Sequence, residues 1–161
     1  MNPVSKKLSL MLVLLLFLTS ACKANISRNN DGSLDVETSI TQQELQDVIS
    51  ASIADPLIKD LTASLQSGYV LVSGTRERLN EPGKTDTLSF RLDLGVSNGQ
   101  LTTSISNAQL DGVPLEQDRV DHWNETIANR LSMVGTRNPN STLKAVTITP
   151  DSVTMIWTVS R

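Results

Sequence analysis

The chain has one cysteine and one histidine among its 161 residues. No internal disulfide can form, and the usual clustered His and Cys ligands of a metal site cannot be assembled. Aromatic residues are almost as scarce: Phe17, Tyr69, Phe90, Trp123 and Trp157 are all there are, so the interior must be built from Leu, Ile and Val. Basic clusters are missing as well, with 14 Lys and Arg against 17 Asp and Glu. Binding to a phosphate backbone draws on grouped cations, which excludes nucleic acid as an expected partner. There is no phosphate-cradling loop, no dinucleotide fingerprint and no Gly-x-Ser-x-Gly elbow. His122 stands beside Trp123 with Asp118, Asp121 and Glu125 at helical spacing. One histidine on one helix face reads as a surface residue, because a metal needs several converging ligands. No catalytic residue, metal or cofactor is expected, and the chain does not read as an enzyme.

The long apolar run lies at the start. Lys6 and Lys7 precede Leu8 to Leu18 (LSLMLVLLLFL), and Thr19, Ser20 and Ala21 follow. Charge, short apolar core and small residues in that order form a secretory signal. As a helix the run rises roughly 16 Å, about half the hydrocarbon thickness, so it is too short for a permanent span. Cys22 comes next, and Leu18-Thr19-Ser20-Ala21-Cys22 resembles a bacterial lipobox, although Thr19 stands where Leu is usual. The resemblance implies that residues 1–21 are removed and that Cys22 takes a lipid and becomes the new N-terminus. It also accounts for a lone cysteine without a partner. The expected protein is exported and lipid-anchored to the bacterial cell membrane or outer membrane, facing outside the cytoplasm. Loss of Lys6 and Lys7 makes the mature chain two charges more acidic than the formal −3.

Residues 22–38 have little periodicity and are rich in Asn, Ser, Asp and Lys, the composition of a flexible tether. A single domain is expected from 39 to 161. Thr41 and Glu44 form a capping box, Ile40 and Leu45 occupy the staple positions around it, and Leu45, Val48, Ile49 and Ile53 follow a helical period. Gln42, Gln46, Asp47 and Ser50 fall elsewhere, on the expected surface. Pro56 disfavours helix at Asp55 and ends it. Strands follow over Leu61–Leu65 and Tyr69–Thr75. Leu88, Phe90, Leu92, Leu94 and Val96 then alternate with polar residues, as in a strand with one buried face. Asn98-Gly99 makes a hairpin turn into Leu101, Thr103 and Ile105. A second helix runs from after Pro114 to about Met133, with Val120, Trp123, Ile127 and Leu131 on one stripe. A last hairpin turns at Thr149-Pro150-Asp151-Ser152. The order helix, four strands, helix, two strands predicts an α+β fold with a curved antiparallel sheet of about six strands packed around two helices.

Particular phrases extend this reading: Ile40-Thr41-Gln42-Gln43-Glu44-Leu45, Gly68-Tyr69-Val70-Leu71-Val72-Ser73-Gly74, Asn98-Gly99-Gln100-Leu101, Leu110-Asp111-Gly112-Val113-Pro114-Leu115, and Val146 to Val153. Over roughly residues 39 to 160 the chain resembles small bacterial TULIP-like (tubular lipid-binding) domains, including the LmeA-like phospholipid-binding family. The resemblance implies a sheet wrapped around a helix, with a groove for a phospholipid or other hydrophobic ligand. On this chain the groove would be lined by Ile49, Ile53, Ala63, Phe90, Leu92, Trp123, Ile127, Ala128 and Trp157. The alternative is a non-enzymatic structural or protein-interaction lipoprotein, in which the same residues fill a solid core. Protein partners are not legible in the sequence.

Overall fold

The computed structural model describes residues 25–135 and 140–160. The expected signal and Cys22 lie outside the described residues. These form an α+β fold of nine strands and two helices. In chain order they are β1 (Asn25–Arg28), β2 (Leu34–Thr41), α1 (Gln42–Ile53), β3 (Ile58–Gln66), β4 (Tyr69–Glu77), β5 (Thr85–Ser97), β6 (Gln100–Leu110), β7 (Val113–Pro114), α2 (Gln117–Gly135), β8 (Ser141–Ile148) and β9 (Ser152–Val159).

The expectation of about six strands in one sheet is corrected. The strands form two antiparallel sheets, one in the order β1-β2-β9-β8 and one in the order β3-β4-β5-β6-β7. The stretch expected as a tether contains β1 and most of β2. β2 is hard to read because Thr38, a polar residue, takes one of its inward positions and interrupts the apolar alternation. Its register nevertheless sets Val36 opposite Trp157 and Ile40 opposite Val153. β1 is exposed along its length and owes its form to pairing with β2.

Local signals placed the helices and turns well. The Thr41 N–H donates to Glu44 Oε2 at 2.8 Å, and the Glu44 N–H donates to Thr41 Oγ1 at 3.3 Å. The Thr41 and Glu44 N–H groups at the start of α1 are thus satisfied within the chain. The helix stops at Ala54, which turns left-handed at φ 49° just before Asp55-Pro56. Asn98 and Gly99 both take positive φ, at 51° and 73°, as a tight hairpin requires.

The core draws on every layer. Leu45, Ile49 and Ile53 of α1 and Val120, Trp123, Ile127 and Leu131 of α2 meet Ala63, Leu65, Val70, Val72, Leu88, Phe90 and Leu92 of the larger sheet. Ile40, Leu143, Val153, Met155 and Trp157 extend the same cluster into the smaller sheet. The two helices pack on each other; α1 also lies against β3 and α2 against β6.

β3 is one edge of the larger sheet, and β6 is covered on its far side only at Gln109 and Leu110, by the two-residue β7; the helices bond to both strands through amide side chains. Gln46 Oε1 accepts from the Ala63 N–H at 3.2 Å, and Gln42 Oε1 accepts from the Leu65 N–H at 3.5 Å. Asn124 Oδ1 accepts from the Ile105 N–H at 2.9 Å, while the Asn124 carbonyl accepts from Thr103 Oγ1 at 2.7 Å. Gln42, exposed as expected, and Gln46, half-buried, thus also bond to strand backbone.

β8 runs across the tips of two hairpins and joins the sheets. The Leu143 N–H donates to the Gly99 carbonyl at 2.7 Å, and the Gly68 N–H donates to the Ile148 carbonyl at 3.0 Å. A Cβ on Gly99 would come within 3.2 Å of Thr142 Cβ, so this crossing also needs glycine.

Asn124→Ala leaves the Ile105 N–H without its acceptor and is expected to cost about 1–3 kcal/mol. Asn124→Asp keeps an oxygen in reach and is expected to lose less. Urea denaturation of the two variants beside the parent checks both.

Candidate functional site

Eight of the nine residues expected to line a groove come together as packed interior. Ile49, Leu92, Ala63 and Ile127 are at 0% exposure, and Phe90, Trp123, Trp157 and Ile53 reach at most 8%. They belong to one continuous cluster; Ala128 is half-buried beside them. The Phe90 and Trp123 rings are tilted at 39° with centroids 5.8 Å apart, the spacing of a favourable aromatic pair. Trp157 sends its indole N–H to Thr38 Oγ1 at 3.3 Å, which meets its polar need inside the core. His122 is exposed, and among the described residues no group of three His, Cys, Asp or Glu could hold a metal. No described helix is long and apolar enough to cross a membrane.

A groove of about 530 Å³ lies elsewhere, on the outer face of the larger sheet. Period-two alternation sends Ser64 of β3, Tyr69, Leu71 and Ser73 of β4, and Ser89 and Arg91 of β5 to this face. Register aligns them: Ser64 opposes Leu71, Leu71 opposes Arg91, and Ser73 opposes Ser89. On β6 a bulge intervenes between the pairs at Ser89 and Arg91. It holds Asn107 at φ 53°, an uncommon conformation that Asn tolerates better than most residues. The extra residue brings Asn107 to the groove wall next to Gln109, while its neighbour Ala108 packs on the core.

The groove has one cation, and that cation is neutralised. Arg91 donates from Nε to Asp93 Oδ2 at 2.7 Å and from Nη2 to Asp93 Oδ1 at 2.6 Å. The guanidinium bonds hold the Asp93 carboxyl below its ordinary range. The guanidinium carbon also sits 4.2 Å from the Tyr69 ring centroid, a cation–π contact. Gln109 Nε2 donates to Ser89 Oγ at 3.2 Å, and Gln66 Nε2 donates to Ser64 Oγ at 3.1 Å. Leu71 is 46% exposed in the middle of these polar groups. Sequence reasoning missed this surface because its residues meet only through strand register and the bulge.

The other charge centres link segments of the chain. Arg78 bridges Asp86, Glu81 and Asp111 at the far end of the larger sheet. In the smaller sheet Asp35 accepts from Lys144 Nζ at 2.8 Å, Thr158 Oγ1 at 2.7 Å and Asn29 Nδ2 at 2.9 Å. Those donors, Lys144 first, lower its carboxyl from 3.8 to about 2. Comparison with protein-family models, with curated proteins and with solved structures finds no match.

A carboxyl depressed in the folded state stabilises fully above its unfolded value and ceases to do so as pH falls through the folded one. The stability gap between the parent and Asp35→Asn is therefore expected to be constant above pH 3.8, and to close as pH approaches about 2. Urea midpoints of the two proteins across that range measure it.

Proposed function

We propose that the chain is a lipid-anchored protein of the bacterial envelope, attached through Cys22, that binds a partner on its surface and is not an enzyme. The observation that favours surface binding over lipid carriage is the burial of the expected groove residues in one cluster. An acyl chain between helices and sheet would need space that these side chains occupy. The apolar run before Cys22, and the absence of any second cysteine, support the anchor. One acyl chain holds a protein weakly on a membrane, whereas two or more hold it firmly.

The anchor would also orient the domain. Asn25, where β1 begins, follows Cys22 by three positions. The edge of the smaller sheet would then lie nearest the membrane, with the larger sheet joined to it through β8.

Three experiments test this reading. Cys22→Ser is expected to release the protein from the membrane fraction; continued membrane sedimentation of the uncleaved variant would mean that the apolar segment holds it. Ala63→Trp is expected to cost roughly 1–3 kcal/mol or more through overpacking. Native mass spectrometry of the full chain is expected to give an apo mass. A stoichiometric phospholipid together with a well-tolerated Ala63→Trp would restore the lipid-carrier reading.

A further inference from the structure

We propose that the face of β1 bearing Ile26 and Arg28 docks on the phospholipid surface, with Ile26 entering the interface and Arg28 meeting lipid phosphates. The proposal rests on the Cys22 anchor and names the surface that the anchored domain turns to the bilayer. Chain length sets the first condition. Ile26 follows Cys22 by four positions, so their Cα atoms lie at most ~14 Å apart. A lipid on Cys22 holds that residue at the headgroup level, and Ile26 cannot be carried far from it. The chain is already strand from Asn25 onward, and β1 is paired with β2 over all four of its residues. A folded sheet edge, and not a loose arm, therefore arrives at the membrane.

Residues directly opposite on antiparallel strands share a face, so register tells what that edge carries. Ile26 opposes Val36, Val36 opposes Trp157, and Trp157 opposes Leu143. Arg28 opposes Leu34, which opposes Val159. Trp157 and Leu143 are core residues, Leu34, Val36 and Val159 are half-buried, and Ile26 is 67% exposed. The core thus runs out along this face into an open apolar rim, because β1 packs chiefly on β2. Alternation sends the acidic residues of β2 to the opposite face. There Asp35 is taken by Lys144, and Glu37 accepts from Asn25 Nδ2 at 3.4 Å. On the Ile26 face, β1 and β2 hold one cation and no carboxylate. Arg28 is exposed and makes no ion pair among the described residues, so its guanidinium is free to bond a phosphate. An apolar side chain beside a cation on a long apolar stem suits a headgroup interface, which is apolar below and anionic above. Lys23, between the anchor and β1, adds a second cation near that surface.

The test uses the full chain matured in a bacterial membrane and placed in vesicles of phosphatidylethanolamine with phosphatidylglycerol as the minor lipid. Mass spectrometry first checks for acyl groups on Cys22. With that thiol occupied, Ile26→Cys supplies the single reactive thiol for an environment-sensitive fluorophore. Leu71→Cys, on the outer face of the larger sheet, is the control. Quenchers carried at headgroup depth are expected to dim the label at position 26 about threefold or more relative to the label at position 71. Adding Arg28→Glu to Ile26→Cys should remove about half of that quenching or more. Ile26, Arg28 and Leu71 are all exposed, so these variants should retain the parent's Tm. An acylated protein with equal quenching at the two positions would overturn the docking and leave the anchor standing. Quenching unchanged by Arg28→Glu would overturn the phosphate contact. Cross-linking of two copies through position 26 in detergent, without quenching in vesicles, would also overturn the proposal and assign the edge to a second copy. A Cys22 without acyl groups would overturn the anchor itself, and the docking with it.

Discussion

An open antiparallel sheet leaves a row of unpaired backbone groups along each edge, and the arrangement of this protein follows from how those rows are closed. The larger sheet does not curl into a barrel. β3 at one edge, and β6 where it runs beyond its short pairing with β7, are each overlain by a helix that turns an apolar stripe to the core and an amide side chain to the strand. Helix placement is thereby fixed twice, once by burial and once by direct hydrogen bonds. Burial alone would allow a helix to slide, since hydrophobic contact has no direction. Gln46 at Ala63 and Asn124 at Ile105 remove that freedom.

This closure explains which parts of the fold were legible in the sequence. Thr41 and Glu44, Asn98-Gly99 and the alternation from Leu88 to Leu92 act through neighbours a few residues away, so their pattern carried the information. β2 was harder to see. One of its inward positions is Thr38, which accepts the Trp157 indole N–H; a polar residue in that place breaks the apparent alternation. Gln42, Gln46 and Asn124 look like ordinary surface amides because their partners lie on strands some 17 to 23 positions away. The outer groove was hidden for the same reason, and more deeply, because it depends on four aligned strands and one extra residue at Asn107.

Burial also separates two sets of residues that composition alone could not. Aliphatic and aromatic side chains fill a packed interior or line a hollow one equally well as residue types. In this fold Ile49, Leu92 and Ile127 are closed off from solvent, and Phe90 leans on Trp123. The polar outer residues of the same strands stay in water. One strand, β5, thus serves both sides, with Phe90 and Leu92 in the core and Ser89 and Arg91 on the groove.

The junction at β8 then governs how that outer face is held. A sheet joined to its neighbour through one flexible linker would be free to swing. Here the joint has two fixed points five residues apart on β8, at Leu143 and Ile148, each bonded to a different hairpin tip. Five residues of strand span about 17 Å, so the two bonds form a brace and not a hinge. Thr142 against Gly99 leaves no room for a side chain at the first point. On the smaller sheet, Asp35 links the β1–β2 turn through Asn29, β9 through Thr158 and β8 through Lys144. A position imposed on β1 therefore reaches β8 through paired strands and ion-assisted bonds, and passes to the larger sheet through the brace.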